Sequence, residues 1–160
     1  AEAEEQVRKA QALRREQGLK PESAQQPRTL AEIALARGEL LAAADLAERA
    51  LSLVPEATDK IMYATHKATL AKIRAAQGRA EDAEILFRQS LDVLEAREYR
   101  IDSSLTLLKY GEALQMMGKH DEARAVLGRA RDEFARIGAG YFVAVCAARL
   151  SSPAAAPVTG

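Results

Sequence analysis

Tryptophan and asparagine are absent from this 160-residue chain, cysteine occurs once, and aromatic side chains make up only 4% of it. A single cysteine, Cys146, excludes an internal disulfide. No apolar run approaches the roughly 20 residues that a membrane-spanning helix requires. Neither sign of charge is in excess: 23 Lys and Arg stand against 23 Asp and Glu. That balance removes the simplest electrostatic case for a nucleic-acid or anionic-membrane partner. Residues 1–15 are charged and lack the basic-then-apolar order of a secretory signal, so a soluble, cytoplasmic chain is expected. Chemical signatures are missing too. No GxGxxG, no phosphate-binding GxxxxGK followed by Ser or Thr, no HExxH, no paired cysteines and no acidic calcium loop occur. No catalytic residue, cofactor or metal is expected.

What is present favours helix. Alanine is the commonest residue and leucine follows, arginine outnumbers lysine, and Val and Ile are sparse, so an all-α chain is predicted. With few aromatics and many alanines, the core must come from close helix approach, with axes about 8 Å apart. Slid against itself, the chain repeats every 40 positions: Gly38, Gly78 and Gly118 fall in register, each between two amphipathic helix patterns. Before the glycines, Leu30, Leu70 and Tyr110 align, then Ala31, Ala71 and Gly111, then Ile33, Ile73 and Ala113. After them come Ala43, Ala83 and Ala123, then Ala47, Phe87 and Leu127, then Ala50, Ser90 and Ala130. Steps of three and four place each set on one helix face.

The small residues Ala31, Ala71, Gly111, Ala43, Ala83 and Ala123 would let the two helices of a pair touch. Leu30, Leu70, Phe87 and Leu127 would fill the space between pairs, at about 1.5–3 kcal/mol for each fully buried side chain. Each glycine would close its helix in the left-handed conformation and reverse the chain. Pro55 separates the first pair from the second; Thr58 or Asp59 is expected to cap the following helix, and Asp102 or Ser103 the first helix of the third pair. Shifted by three periods, Ala3, Val7, Ala10 and Gly18 fall on Ala123, Leu127, Ala130 and Gly138, so residues 1–18 read as a second helix without its first. Tyr141 to Leu150 falls on Ile101 to Tyr110 and reads as a first helix without its second. Residues 151–160 have two prolines and no apolar period, and read as a flexible tail.

This pattern resembles the tetratricopeptide repeat, in the long-helix form found in bacterial regulatory proteins. The likeness runs from about Gln25 to Gly138 and is closest from Leu30 and Ala31 through Gly38, Ala43, Ala47, Ala50 and Leu51 to Pro55. The other two copies have Glu95 and Ala135 where the closing proline would stand. The family's tryptophan is missing, and the period is 40 where the usual repeat has about 34; longer helices and a longer connection would absorb the difference. The resemblance implies a right-handed α-α solenoid of antiparallel helix pairs. It implies one domain over 1–150, with repeats at 22–56, 59–98 and 101–138 and orphan helices at 1–18 and 140–150.

In this family the first helices of successive repeats line a concave groove. On that resemblance Arg28, Glu32 and Leu35, then Thr65, Ala68, Lys72 and Ala75, then Leu105, Leu108, Glu112, Gln115 and Met116 would face it. Lys72 and Arg28 would pair with acidic groups of a peptide, and Leu105, Leu108 and Met116 would offer an apolar stripe at one end. Replacing Lys72 by Glu together with Leu108 by Ala is then expected to weaken partner capture at nearly constant melting temperature. Family members that grip the acidic C-terminal tail of chaperones use asparagines beside Lys or Arg, and the absence of asparagine argues against that partner. The expected function is a non-catalytic scaffold for a protein or peptide, or for another domain of the same polypeptide, within a larger bacterial signalling or regulatory protein. The alternative is a sensor module for a small molecule or signalling peptide, marked by a deep pocket near Leu108, Glu112 and Lys72. Head-to-tail association through the two orphan helices is a further expectation. His66 reads as a boundary histidine with one nitrogen satisfied, His120 as a solvated turn residue, and Cys146 as a small core hydrophobe.

Overall fold

The computed structural model describes residues 23–151. Among them are seven helices: α1 (Gln25–Ala36), α2 (Leu40–Ser52), α3 (Lys60–Ala76), α4 (Ala80–Ala96), α5 (Arg100–Met116), α6 (His120–Arg136) and α7 (Gly140–Ser151). No strand occurs among the described residues. The segment expected to be an orphan second helix, 1–18, lies outside them, as does the expected tail apart from Ser151, which ends α7.

The helices pack as antiparallel pairs, α1 with α2, α3 with α4 and α5 with α6, and α7 follows. Each second helix also packs on the first helix of the next pair, while α1, α3 and α5 pack on one another in sequence. The result is an all-α helical-repeat solenoid whose first helices form an inner layer. Three apolar clusters build it, each made of one pair and one or both of the helices next to it. Ala31, Ala34, Ala43, Ala44 and Ala47 enclose Leu70 and Ile73 of α3. Ala68, Ala71, Ala75, Ala83 and Phe87 meet Ala113 of α5. Leu107, Leu108, Leu127, Ala130 and Phe134 join Leu91 of α4 to Cys146 of α7. The expected small contact residues are buried at every copy, and Gly111 lies directly beneath Leu127. Leu30 departs from expectation: it is 45% exposed where its register partner Leu70 is 7% exposed. Among the described residues no helix stands before α1 as α2 stands before α3, so none of them covers Leu30 as α2 covers Leu70.

The turns inside the pairs close as the glycines require. At Gly78 φ is +77°; its N–H donates to Ala75 O at 3.0 Å, and the N–H of Arg79 reaches Arg74 O at 2.9 Å. The α4–α5 turn repeats this geometry with Glu98 in the left-handed position, φ +56°. Asp59 caps α3 as expected, accepting from the Met62 N–H at 3.0 Å. The third pair differs from expectation. Tyr99 occupies the N-cap of α5 and makes no side-chain cap, because the three-residue turn carries Asp102 and Ser103 into the helix. His120 likewise begins α6 rather than sitting in a turn.

Candidate functional site

The three parallel helices α1, α3 and α5 expose a common face, and two cavities open along it. The larger, about 850 Å³, lies towards their N-terminal ends, among Arg28, His66 and Lys109, with Asp59, Arg97 and Tyr99 on its rim. The smaller, about 480 Å³, lies towards their C-terminal ends and is lined by Leu35, Ala36, Leu40, Ala76 and Met116 together with Lys72. Glu32 and Lys109 border both.

At this waist Lys109 reaches from α5 across α3 to α1. Its Nζ donates to Glu32 Oε1 at 3.0 Å and to Thr69 Oγ1 at 2.9 Å. The same Glu32 oxygen accepts from Thr69 Oγ1 and from Arg28 Nη1, each at 3.3 Å. Farther along, Lys72 pairs with Glu112, whose Oε1 also accepts from Arg149 Nε of α7 at 2.7 Å. Gln115 Nε2 donates to the Arg149 carbonyl at 3.0 Å. The repeat explains this ladder. Glu32, Lys72 and Glu112 share one register position and Thr69, Lys109 and Arg149 another, and packing of like helices brings these two adjacent rows together, with contacts both between the rows and, at Lys72 with Glu112 and Lys109 with Thr69, along them.

The electrostatics follow from burial and pairing. Burial alone would raise the Glu32 carboxyl, but Lys109 and Arg28 outweigh it and hold the group below its ordinary value. Glu112 is likewise pushed up by burial and brought below the ordinary range by Lys72 and Arg149. Burial lowers Lys109, with Glu32 opposing. His66 is 2% exposed, and both ring nitrogens face carbonyls: Nδ1 lies 2.8 Å from Met62 O, and Nε2 lies 3.3 Å from Ala24 O. Burial depresses its pKa, and the nearby cations Arg28 and Lys109 depress it further. A neutral ring donates through one nitrogen only, so the tautomer decides which of the two carbonyls receives the N–H.

Of the residues expected to face the groove, Arg28, Glu32, Leu35, Thr65, Lys72, Leu105 and Met116 line the cavities. Glu112 and Gln115 belong to the ladder beside them. Ala68 and Leu108 do not face it; they are 1% and 8% exposed, inside the core clusters, and Ala75 is buried with Ala68. Arg28 and Lys72, expected to meet acids of a partner, each pair with a carboxylate of this chain. Thr69 and Lys109, which hold the waist, went unrecognised in the sequence. Their signal is a polar residue one position after each buried site, repeated 40 residues apart. Among the described residues no group of three or more His, Cys, Asp or Glu is placed to hold a metal ion, and no helix is long and apolar enough to cross a membrane.

A family model for the tetratricopeptide repeat matches residues 58–132, from the capped start of α3 into α6. No curated protein and no solved structure shows a significant match.

Proposed function

Because the chain carries a tetratricopeptide repeat domain, we propose that it is a non-catalytic interaction scaffold that holds a peptide or a partner domain in the groove of α1, α3 and α5. Tetratricopeptide repeats generally mediate protein–protein interaction. The observation that carries this reading is the pair of cavities bordered in common by Glu32 and Lys109, where side chains from three successive first helices converge on one surface. The partner is a protein or peptide, another domain of the same polypeptide included, within a larger bacterial signalling or regulatory protein. One observation favours the sensor alternative: both cavities fall in the range of about 300–1,000 Å³ that holds small ligands. Leu108 belongs to the core, so such a ligand would sit beside Lys72 and Met116 instead. Head-to-tail association through α7 and residues 1–18 is a second route to a protein contact, and a constant mass by light scattering across a concentration series would exclude it.

The scaffold reading is tested by affinity capture with the intact parent protein and three variants. Met116→Glu and Arg97→Glu alter the groove, and Arg124→Glu alters the outer surface of α6. Capture should fall at least tenfold with Met116→Glu, fall less with Arg97→Glu, and persist with Arg124→Glu. Full capture by both groove variants would move the binding surface elsewhere.

A further inference from the structure

The larger cavity carries buried polar groups that the fold leaves unanswered. We propose that it binds a small organic monocarboxylate, its charged end between α1 and α5 and its apolar body along the walls. The site is separate from the position beside Lys72 and Met116, and it does not depend on a polypeptide in the groove. Thr106 of α5 is the first unanswered group. It lines the cavity at 2% exposure, and its hydroxyl has no hydrogen-bond partner among the described residues, whereas buried hydroxyls are ordinarily paired. Arg28 of α1 is the second. A guanidinium has five N–H groups; here Nη1 donates to Glu32 at 3.3 Å, and Nε is buried with no partner. His66 stands one repeat before Thr106 in register, and its ring nitrogens already face carbonyls of the chain, so it offers the ligand a buried wall and no hydrogen bond.

The charges select the sign and the number. Towards the waist Arg28 and Lys109 share the one carboxylate of Glu32, which leaves a single positive charge in excess. Towards the N-terminal ends Lys60 and Arg97 stand with Asp59 and Asp102, so that end of the cavity adds no net charge. One excess cation suits a monoanion; the second charge of a phosphate-like dianion would be taken out of water without a partner. The walls select the rest of the ligand. Ile61 and Met62 of α3 and Leu105 of α5 line the same cavity. A few polar groups fixing one end among apolar side chains, in a volume of about 300–1,000 Å³, is the usual form of a small-molecule site, and this one measures about 850 Å³.

The test titrates the full chain with benzoate, phenylacetate and hexanoate, with the primary amide of each, with inorganic phosphate, and with acetyl-trialanine as a peptide carboxylate. Calorimetry gives the affinity, and the histidine ring signals in proton–carbon NMR give the place. At least one of the small carboxylates should bind with a Kd below about 1 mM, and its amide about tenfold more weakly or worse. The ring of His66 should shift, and that of His120 at the start of α6, the chain's other histidine, should not. Thr106→Val keeps the shape and removes the hydroxyl; Arg28→Lys keeps the charge and removes the Nε–H. Each should weaken binding about tenfold, the loss expected for a hydrogen bond to a charged group, with helicity unchanged. Failure of all three carboxylates, equal affinity for the amide, tighter binding of phosphate or acetyl-trialanine, an unmoved His66 ring, or indifference to either variant overturns the site. None of these results bears on the scaffold reading, which affinity capture tests separately.

Discussion

Placing a methyl group at Gly111 tests how the third pair is held. A Cβ there would stand 2.5 Å from Leu127 Cγ and 2.6 Å from its Cδ2, and Leu127 is fully buried. The same crossing is Ala31 with Ala47 in the first pair and Ala71 with Phe87 in the second, so only the third copy combines a missing Cβ with a γ-branched neighbour. Overpacking of this kind costs about 1–3 kcal/mol. Replacing an interior helical glycine by alanine returns about 0.8–1 kcal/mol, which leaves Gly111→Ala at a net loss of about 0–2 kcal/mol. A double-mutant cycle makes the sign decisive. Leu127→Ala alone should cost about 2–5 kcal/mol through its cavity. In that background the new methyl meets no Leu127, and Gly111→Ala should stabilise by about 0.5–1 kcal/mol. Urea unfolding followed by far-ultraviolet circular dichroism measures all four corners. The expected coupling is about 1–3 kcal/mol. Additivity within about 0.5 kcal/mol would refute the claim that Leu127 fills the space of the absent Cβ.

Three further perturbations bear on other parts of the molecule. Glu98→Gly relieves the left-handed residue of the α4–α5 turn and should raise unfolding free energy by up to about 1 kcal/mol by urea titration; no gain would mean the turn carries no strain. Leu108→Ala should lower stability by about 2–5 kcal/mol and shift the melting temperature, because Leu108 packs against the core of α5, α6 and α7; an unchanged melting temperature would return it to the groove. His66 is held neutral in the fold below its ordinary pKa of about 6.5. The unfolded chain therefore binds the extra proton first, and stability should decline as pH falls from about 7 through about 6.5. His66→Gln should remove that part of the slope. The contribution of the lowered carboxyls Glu32 and Glu112 runs in a separate window, lost only as pH drops below their ordinary value of about 4.5.

The pairs and their turns were legible because each repeat states the same thing in its own register. Gly38, Gly78 and Gly118 mark the reversals, and the alanines three or four positions from one another mark the touching faces. The groove face was less legible. From Thr65, a step of three leads to Ala68 in the core cluster and a step of four to Thr69, which is as buried but lines the smaller cavity, and helical periodicity allows both. The same ambiguity separates Leu108 from Lys109. What decides between them is pairing across helices: Lys109 meets Glu32 two repeats away, and Lys72 meets Glu112 one repeat away. No pattern within one repeat contains those distances. The α5 cap was misread for a related reason, since a backbone-closed turn at Glu98 needs no side-chain cap and leaves Asp102 and Ser103 inside the helix.

The central claim, that the face shared by α1, α3 and α5 is where a protein partner binds, is tested most directly by amide hydrogen exchange of the chain alone and saturated with its captured partner. The account predicts slowed exchange in α1, α3 and α5, strongest around Glu32, Thr69 and Lys109, with little change along α2, α4 and α6. Protection confined to α2, α4 and α6 would contradict it.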